Sequence, residues 1–270
     1  GNGNFADKQI ISEAADGPQS VYACDLDDDA DNDVLSASII DKKVAWYEND
    51  GSGNFGDQQV IYDSANVARD VYARDLDGDD DKDVLASTVL TDSDIAWYEN
   101  DGAGNFGPQQ IISDELTTPL GAITADLNGN GRPDIIAAQF AADKIVWYEN
   151  EGGGNFGAEK IITNQVNGPW SLFADDIDGD GDLDVVSNEH EIWLENTGDC
   201  NWVEHDLPVQ SGSYRDIVVA DFDNDGCEDI VYENGNNDIN LQTGNCDGTF
   251  NSATEIISTG EAAWLGRGDF

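Results

Sequence analysis

Methionine is absent from this chain of 270 residues, and histidine occurs only twice, at His190 and His205. Without a methionine, residue 1 is not read as a translation start, and the chain is expected to be a processed product or a piece of something longer. No nucleophile elbow, HExxH pair or phosphate loop occurs, so the sequence gives no sign of an enzyme. Basic residues are scarce: 11 Lys and Arg stand against 57 Asp and Glu, a formal charge of −46. Such a surface is a poor partner for nucleic acid or anionic membrane. No run approaches the roughly 18 apolar residues of a spanning helix, and no signal-like start or Asn-x-Ser/Thr sequon is present. Cysteines number four, at Cys24, Cys200, Cys227 and Cys246, which permit three full pairings. A Cys200–Cys227 or a Cys227–Cys246 bridge is compatible with their positions, and so are buried thiols.

What is present is an apolar complement too rich for a disordered acidic tail: 39% hydrophobic residues, with seven Trp, eight Tyr and nine Phe. These residues recur in phase. Acidic loops begin at Asp25, Asp75, Asp126, Asp176 and Asp221, the tetrapeptide WYEN starts at Trp46, Trp97 and Trp147, and WLEN follows at Trp193. Glycine-rich GxGNF turns end at Phe5, Phe55, Phe106 and Phe156, with degraded copies ending at Trp202 and Phe250. Between these markers run short alternating segments rich in β-branched and aromatic residues, four to a unit, which read as strands A to D. No segment has a helical period.

Strand C is apolar on both sides, Val44 and Trp46 alternating with Ala45 and Tyr47. A sheet that is apolar on both faces must be covered on both, which radial stacking of four-stranded sheets achieves. The fold class is therefore all-β, a β-propeller of four-stranded antiparallel blades. As a single domain over 1–270, its blades fall near 19–62, 69–112, 120–163, 170–207 and 214–257, with a lone D strand in 1–13 and a truncated A strand in 262–270. The partial ends point to a ring of six to eight blades.

Like charge concentrated in a nine-residue loop is costly unless a cation sits within it. Positions 1, 3, 5 and 9 of every loop carry Asp or Asn. They are Asp25, Asp27, Asp29 and Asp33; Asp75, Asp77, Asp79 and Asp83; Asp126, Asn128, Asn130 and Asp134; Asp176, Asp178, Asp180 and Asp184; and Asp221, Asp223, Asp225 and Asp229. Position 7 varies among Asp31, Asp81, Arg132, Asp182 and Cys227, as expected if only its backbone carbonyl is used. Oxygen donors in this number suit calcium better than magnesium, which demands strict octahedral geometry. Up to five Ca2+ are expected, one per blade. An EF-hand is excluded because position 12 holds Ser36, Ala86, Ala137, Ser187 and Tyr232 in place of an acidic ligand.

The pattern D-x-[DN]-x-[DN]-G-x-x-D between strands, followed by WYEN-DGSGNFG, resembles the FG-GAP (VCBS-type) repeat family, related to the blades of integrin α-subunit propellers. The resemblance implies a calcium-binding propeller in an extracellular or cell-surface protein. Two loops depart from it, with Ala30 and Asp80 where position 6 is usually Gly, and the third has only two carboxylates. Those three sites are expected to bind less tightly.

The D–A and B–C links share the propeller face opposite the acidic loops, and they vary most between copies. Six residues before each loop stand Gln19, Arg69, Leu120, Trp170, Arg215 and Ala263. A protein or glycan partner is expected on that face, although simple drift of unconstrained loops would look the same. The WYEN tryptophans are read as packing between blades, not as sugar platforms. The tripeptide Arg267-Gly268-Asp269 is read as the end of a strand, not as an adhesion motif. The expected role is a non-catalytic adhesion or surface-assembly scaffold within a larger chain or assembly. A lectin-like propeller and an accessory domain of a polysaccharide-active enzyme are the alternatives.

Overall fold

The structure is a computed structural model that describes residues 9–64, 67–89, 94–187, 192–198, 200–207, 217–233 and 238–258. It is an all-β fold of five four-stranded antiparallel blades, a β-propeller. Blade 1 comprises β1 (Pro18–Cys24), β2 (Asp33–Ser38), β3 (Lys43–Tyr47) and β4 (Gln59–Tyr62), and blade 2 comprises β5 (Ala68–Arg74), β6 (Asp83–Thr88), β7 (Ile95–Tyr98) and β8 (Gln110–Ser113). Blade 3 is built from β9 (Pro119–Ala125), β10 (Asp134–Gln139), β11 (Lys144–Tyr148) and β14 (Lys160–Thr163), with a small hairpin, β12 (Asn150–Gly152) and β13 (Asn155–Phe156), at its C–D turn. Blade 4 holds β15 (Leu172–Asp175), β16 (Asp184–Ser187), β17 (Ile192–Asn196) and β18 (Trp202–Asp206). Blade 5 holds β19 (Ile217–Ala220), β20 (Asp229–Glu233), β21 (Asp238–Gln242) and β22 (Thr254–Ser258). Among the described residues the one helical segment is a 3-10 turn, Phe140–Ala142, and no helix is long and apolar enough to cross a membrane.

Strands B and C are the buried middle of each blade because both their faces are apolar: β6 and β7, and β10 and most of β11, are buried along their length. The core accordingly lies between neighbouring sheets of blades 1 and 2, 3 and 4, and 4 and 5. Leu35, Val44 and Trp46 of blade 1 pack against Val71, Val84 and Tyr98 of blade 2, and Ile136, Ile145 and Trp147 of blade 3 against Leu172, Val185 and Leu194 of blade 4. Val186 and Trp193 of blade 4 meet Ile217, Ile230 and Tyr232 of blade 5 in the same way. Trp46, Trp97, Trp147 and Trp193 are each 3% exposed, which suits inter-blade packing and leaves no ring face for a sugar.

The chain divides into two compact units. One holds the described residues up to Ala122 together with Asn150–Phe156, and the other holds Ile123–Glu149 and the described residues from Gly157 onward. The expected lone D strand and truncated A strand fall largely outside the described residues, and Gln9–Ser12 form no named strand. His190, Arg215, Ala263 and Arg267–Asp269 also lie outside them.

Candidate metal centres

Each acidic loop connects strands A and B, and its last residue pins it in place. Asp33, Asp83, Asp134, Asp184 and Asp229 are all 0% exposed. The Asp33 carboxylate accepts from the Leu26 N–H at 3.0 Å and the Asn49 N–H at 2.8 Å, tying the loop's second residue to the end of strand C. Asp83 repeats this with Leu76 and Asn100, Asp184 with Ile177 and Asn196, and Asp229 with Phe222 and Gly244, at 2.8 to 3.0 Å. Position 9 is thus a structural clamp, a role that the Asp pattern alone does not disclose.

Within the loop, side-chain carboxylates and amides fold the backbone around themselves. Position 1 accepts from the position 6 N–H in all five copies, and position 5 from the position 7 N–H, as in Asp31 to Asp29 and Cys227 to Asp225. Such turns need left-handed residues. Position 6 has φ of 73° at Ala30 and 78° at Asp80, against 83°, 97° and 90° at Gly131, Gly181 and Gly226. The expected sharp turn is therefore kept where glycine is absent, at the cost of backbone strain. Position 4 is left-handed too, at Asp28, Gly78, Gly129, Gly179 and Asn224, a requirement the sequence reading missed although three of the five are Gly.

In four loops, oxygen atoms of three carboxylates converge within 4.8 Å of one another: Asp25, Asp27 and Asp29; Asp75, Asp77 and Asp83; Asp176, Asp178 and Asp184; and Asp221, Asp223 and Asp225. The third loop, with Asn128 and Asn130, forms no such group among the described residues. The side chains of Asp31 and Asp81 at position 7 lie against the C–D turn, where a Cβ on Gly51 or Gly102 would collide with them. Asp182 approaches Gly198 similarly. Blade 5 makes this link covalent: Cys227 at position 7 and Cys246 in the turn form a disulfide, while Cys24 and Cys200 are free thiols. Of the two pairings compatible with the sequence, Cys227–Cys246 is the one formed.

Burial and mutual repulsion shape the electrostatics of the clusters. Burial first, then the neighbouring carboxylates, push Asp27 up to about 6. Burial likewise raises Asp83 and Asp184 to about 7, against the opposing pull of their backbone hydrogen bonds. Asp77, Asp178 and Asp223 move the same way, with burial the largest cause. In the first loop, Asp25 Oδ1 and Asp27 Oδ1 are buried without any hydrogen-bond partner. Buried carboxylate oxygens without partners, in a loop whose three carboxylates converge within 4.8 Å, suit a hard cation with oxygen ligands, so the donor set fits Ca2+.

Two further residues of WYEN escaped the sequence reading. Its Asn reaches back across the sheets: Asn100 Nδ2 donates to Leu26 O, Asn150 Nδ2 to Leu76 O and Asn196 Nδ2 to Leu127 O, at 2.8 to 2.9 Å. Its Glu stands beside loop position 3, where Glu149 accepts from Asn128 Nδ2 at 3.3 Å. A polar Asn repeated at one place in four copies was the available signal.

Four-stranded blades, each with an acidic loop of this geometry between its strands A and B, define a repeat propeller. Residues 25–86, 87–137 and 126–187 match the profile described as FG-GAP-like repeat, which covers more than half of the chain, and the protein belongs to that family. No curated protein matches it. Among solved structures, it is similar to an Agrocybe aegerita lectin that recognises non-reducing terminal N-acetylglucosamine, at 22% identity and a TM-score of 0.66 over 89% of this chain and 66% of that one. The V. cholerae biofilm matrix protein Bap1 is similar at 19% identity and a TM-score of 0.51, over 89% of this chain and 39% of that one. Virginiamycin B lyase from Staphylococcus aureus is similar at 16% identity and a TM-score of 0.60, over 93% of this chain and 74% of that one. The chain thus spans less than two thirds of the length of the first two, and at these identities the likeness is one of fold.

Proposed function

We propose that this protein is a calcium-stabilised, non-catalytic interaction module that works outside the cell, its loop-bearing face meeting a protein or glycan partner. The observation that carries this reading is the recurrence of one preorganised carboxylate loop: four clusters hold oxygens within 4.8 Å, and in the first of them Asp25 and Asp27 each carry a buried oxygen without a hydrogen-bond partner. The ligands in each loop would be the groups at positions 1, 3, 5 and 9 with the carbonyl of position 7. Calcium would neutralise the clustered charge and lock the A–B loop to the blade. Extracellular modules commonly bind it at about 10⁻⁴ to 10⁻³ M, a range met outside cells and not in cytosol. The disulfide in blade 5 supports an oxidising compartment.

Of the three solved structures compared above, two are a lectin and a matrix protein, which supports binding over catalysis. The third is a lyase. Here His205 is engaged on an outer strand, bonded to Glu195 and stacked on Trp193, which supports a structural role for it. Calorimetric titration of chelator-treated protein with Ca2+, alongside thermal melts, tests the reading. Several bound ions and a melting temperature raised by millimolar Ca2+ are expected, and a melt indifferent to both Ca2+ and EDTA would refute it.

A further inference from the structure

On the face that carries the D–A and B–C links, one pair of side chains has no counterpart in the other blades. Phe140 opens the 3-10 turn of the B–C link in blade 3 and is 40% exposed, and Trp170, just before β15 in blade 4, is partly exposed. Their rings stand 6.3 Å apart at 86°, edge to face. The places equivalent to Phe140 hold Ile39 in blade 1 and Val89 in blade 2, where Val89 is 6% exposed. The places equivalent to Trp170 hold Gln19, Arg69 and Leu120. Blade packing therefore does not require an aromatic at either position, and two large rings are left in partial contact with water.

The corner they form is held by the backbone. Gly168 has φ of 62° and lies so close beneath Phe140 that a Cβ there would stand 2.9 Å from the ring. Its N–H donates to Asp143 Oδ1 at 2.9 Å, and Asp143, left-handed at φ 54°, closes the 3-10 turn. The result is an aromatic shelf with an exposed carboxylate beside it.

We propose that this shelf is a carbohydrate subsite that takes a neutral pyranose. A pyranose has one face of axial C–H groups that stacks on an aromatic ring, and a rim of hydroxyls that donate to an acceptor such as Asp143. This combination of an apolar platform with a few placed polar groups is what small-ligand sites provide. The chain's charge of −46, with Asp143 at the rim, disfavours sialic and uronic acids. The inference deepens the interaction-module reading and rests on it.

The test is a glycan array probed with the full chain in Ca2+, followed by tryptophan-fluorescence titration with the strongest neutral hit. Neutral glycans should bind and acidic ones should not. Trp170→Ala and Phe140→Ala should each weaken binding by at least about tenfold, as loss of a stacking face would, with thermal midpoints unchanged. Ile111→Ser, on outer strand β8, should bind like the parent. Should an alanine variant fail to fold, Phe140→Leu and Trp170→Leu keep apolar volume without a π face, and must show the same loss. Binding that survives these substitutions refutes the shelf while leaving a glycan-binding module intact. An array blank for the parent protein refutes the subsite and the glycan form of the functional reading together, while Ca2+ titration still reports on the module itself.

Discussion

At the residue scale, the aspartates of one loop do different work. Asp184 is buried and its two oxygens hold the N–H groups of Ile177 and Asn196, so Asp184→Ala leaves two buried donors without partners. A loss of about 2–5 kcal/mol is expected, measured by urea unfolding at fixed Ca2+. Ala30 is the converse case, because its φ of 73° strains any side chain. Ala30→Gly should stabilise the protein by about 0.5–1 kcal/mol and, under the proposed calcium reading, tighten Ca2+ binding at the first loop in calorimetry. The cluster carboxylates also set a pH dependence. Burial raises Asp27 to about 6 and Asp83 and Asp184 to about 7 in the metal-free fold. Their unfolded values are near 3.9, so between about pH 4 and 7 the folded state holds more protons than the unfolded one. Stability in EDTA should accordingly fall as pH rises from 5 to 8, a trend that saturating Ca2+ suppresses because bound ions favour the ionised form. Melting temperatures across that range, with and without Ca2+, check the sign.

At the scale of the element, the C–D turn couples neighbouring blades. Gly104 lies on Trp46, Gly154 on Trp97 and Gly248 on Trp193, each too close for a Cβ. In the fourth turn this place belongs to Cys200, left-handed at φ 54°, whose Sγ donates to Leu127 O at 3.5 Å. Gly154→Ala must displace Trp97 and strain a φ of 70°, and should cost about 2–4 kcal/mol. Gly78→Ala, left-handed as well but with open space around its Cβ, should cost only about 1–2 kcal/mol. Comparing the two by thermal unfolding separates collision from backbone strain.

At the scale of the whole molecule, repetition sets how the parts depend on one another. Blades that share a core with their neighbours unfold with coupled free energies, as in other repeat proteins. In blade 5, Leu241 stands where the others have Trp and Gly244 where they have the bridging Asn, so that blade lacks both the indole and the Asn staple. The Cys227–Cys246 bridge ties its loop to its turn instead. Reduction with dithiothreitol should therefore raise hydrogen exchange in β20 and β21 before it does so in β6 or β10, seen by mass spectrometry of peptides.

The strand pattern, the blade repeat and the spacing of the loop oxygens were legible in the chain itself, because each follows from local rules. Side-chain alternation of two, turn glycines and like charge needing a counter-ion can all be read from neighbours in sequence. Only the tertiary structure decided what depends on partners outside the local segment, from 16 residues away in one case to 74 in another. It showed the Asn of WYEN grasping the preceding blade, the position 9 aspartate clamping strand C, Cys227 bonded to Cys246 and not Cys200, and Phe140 set against Trp170. Contacts of that kind arise from the stacking of one sheet on the next, and a one-dimensional pattern carries the period of that stacking but not which atoms it brings together.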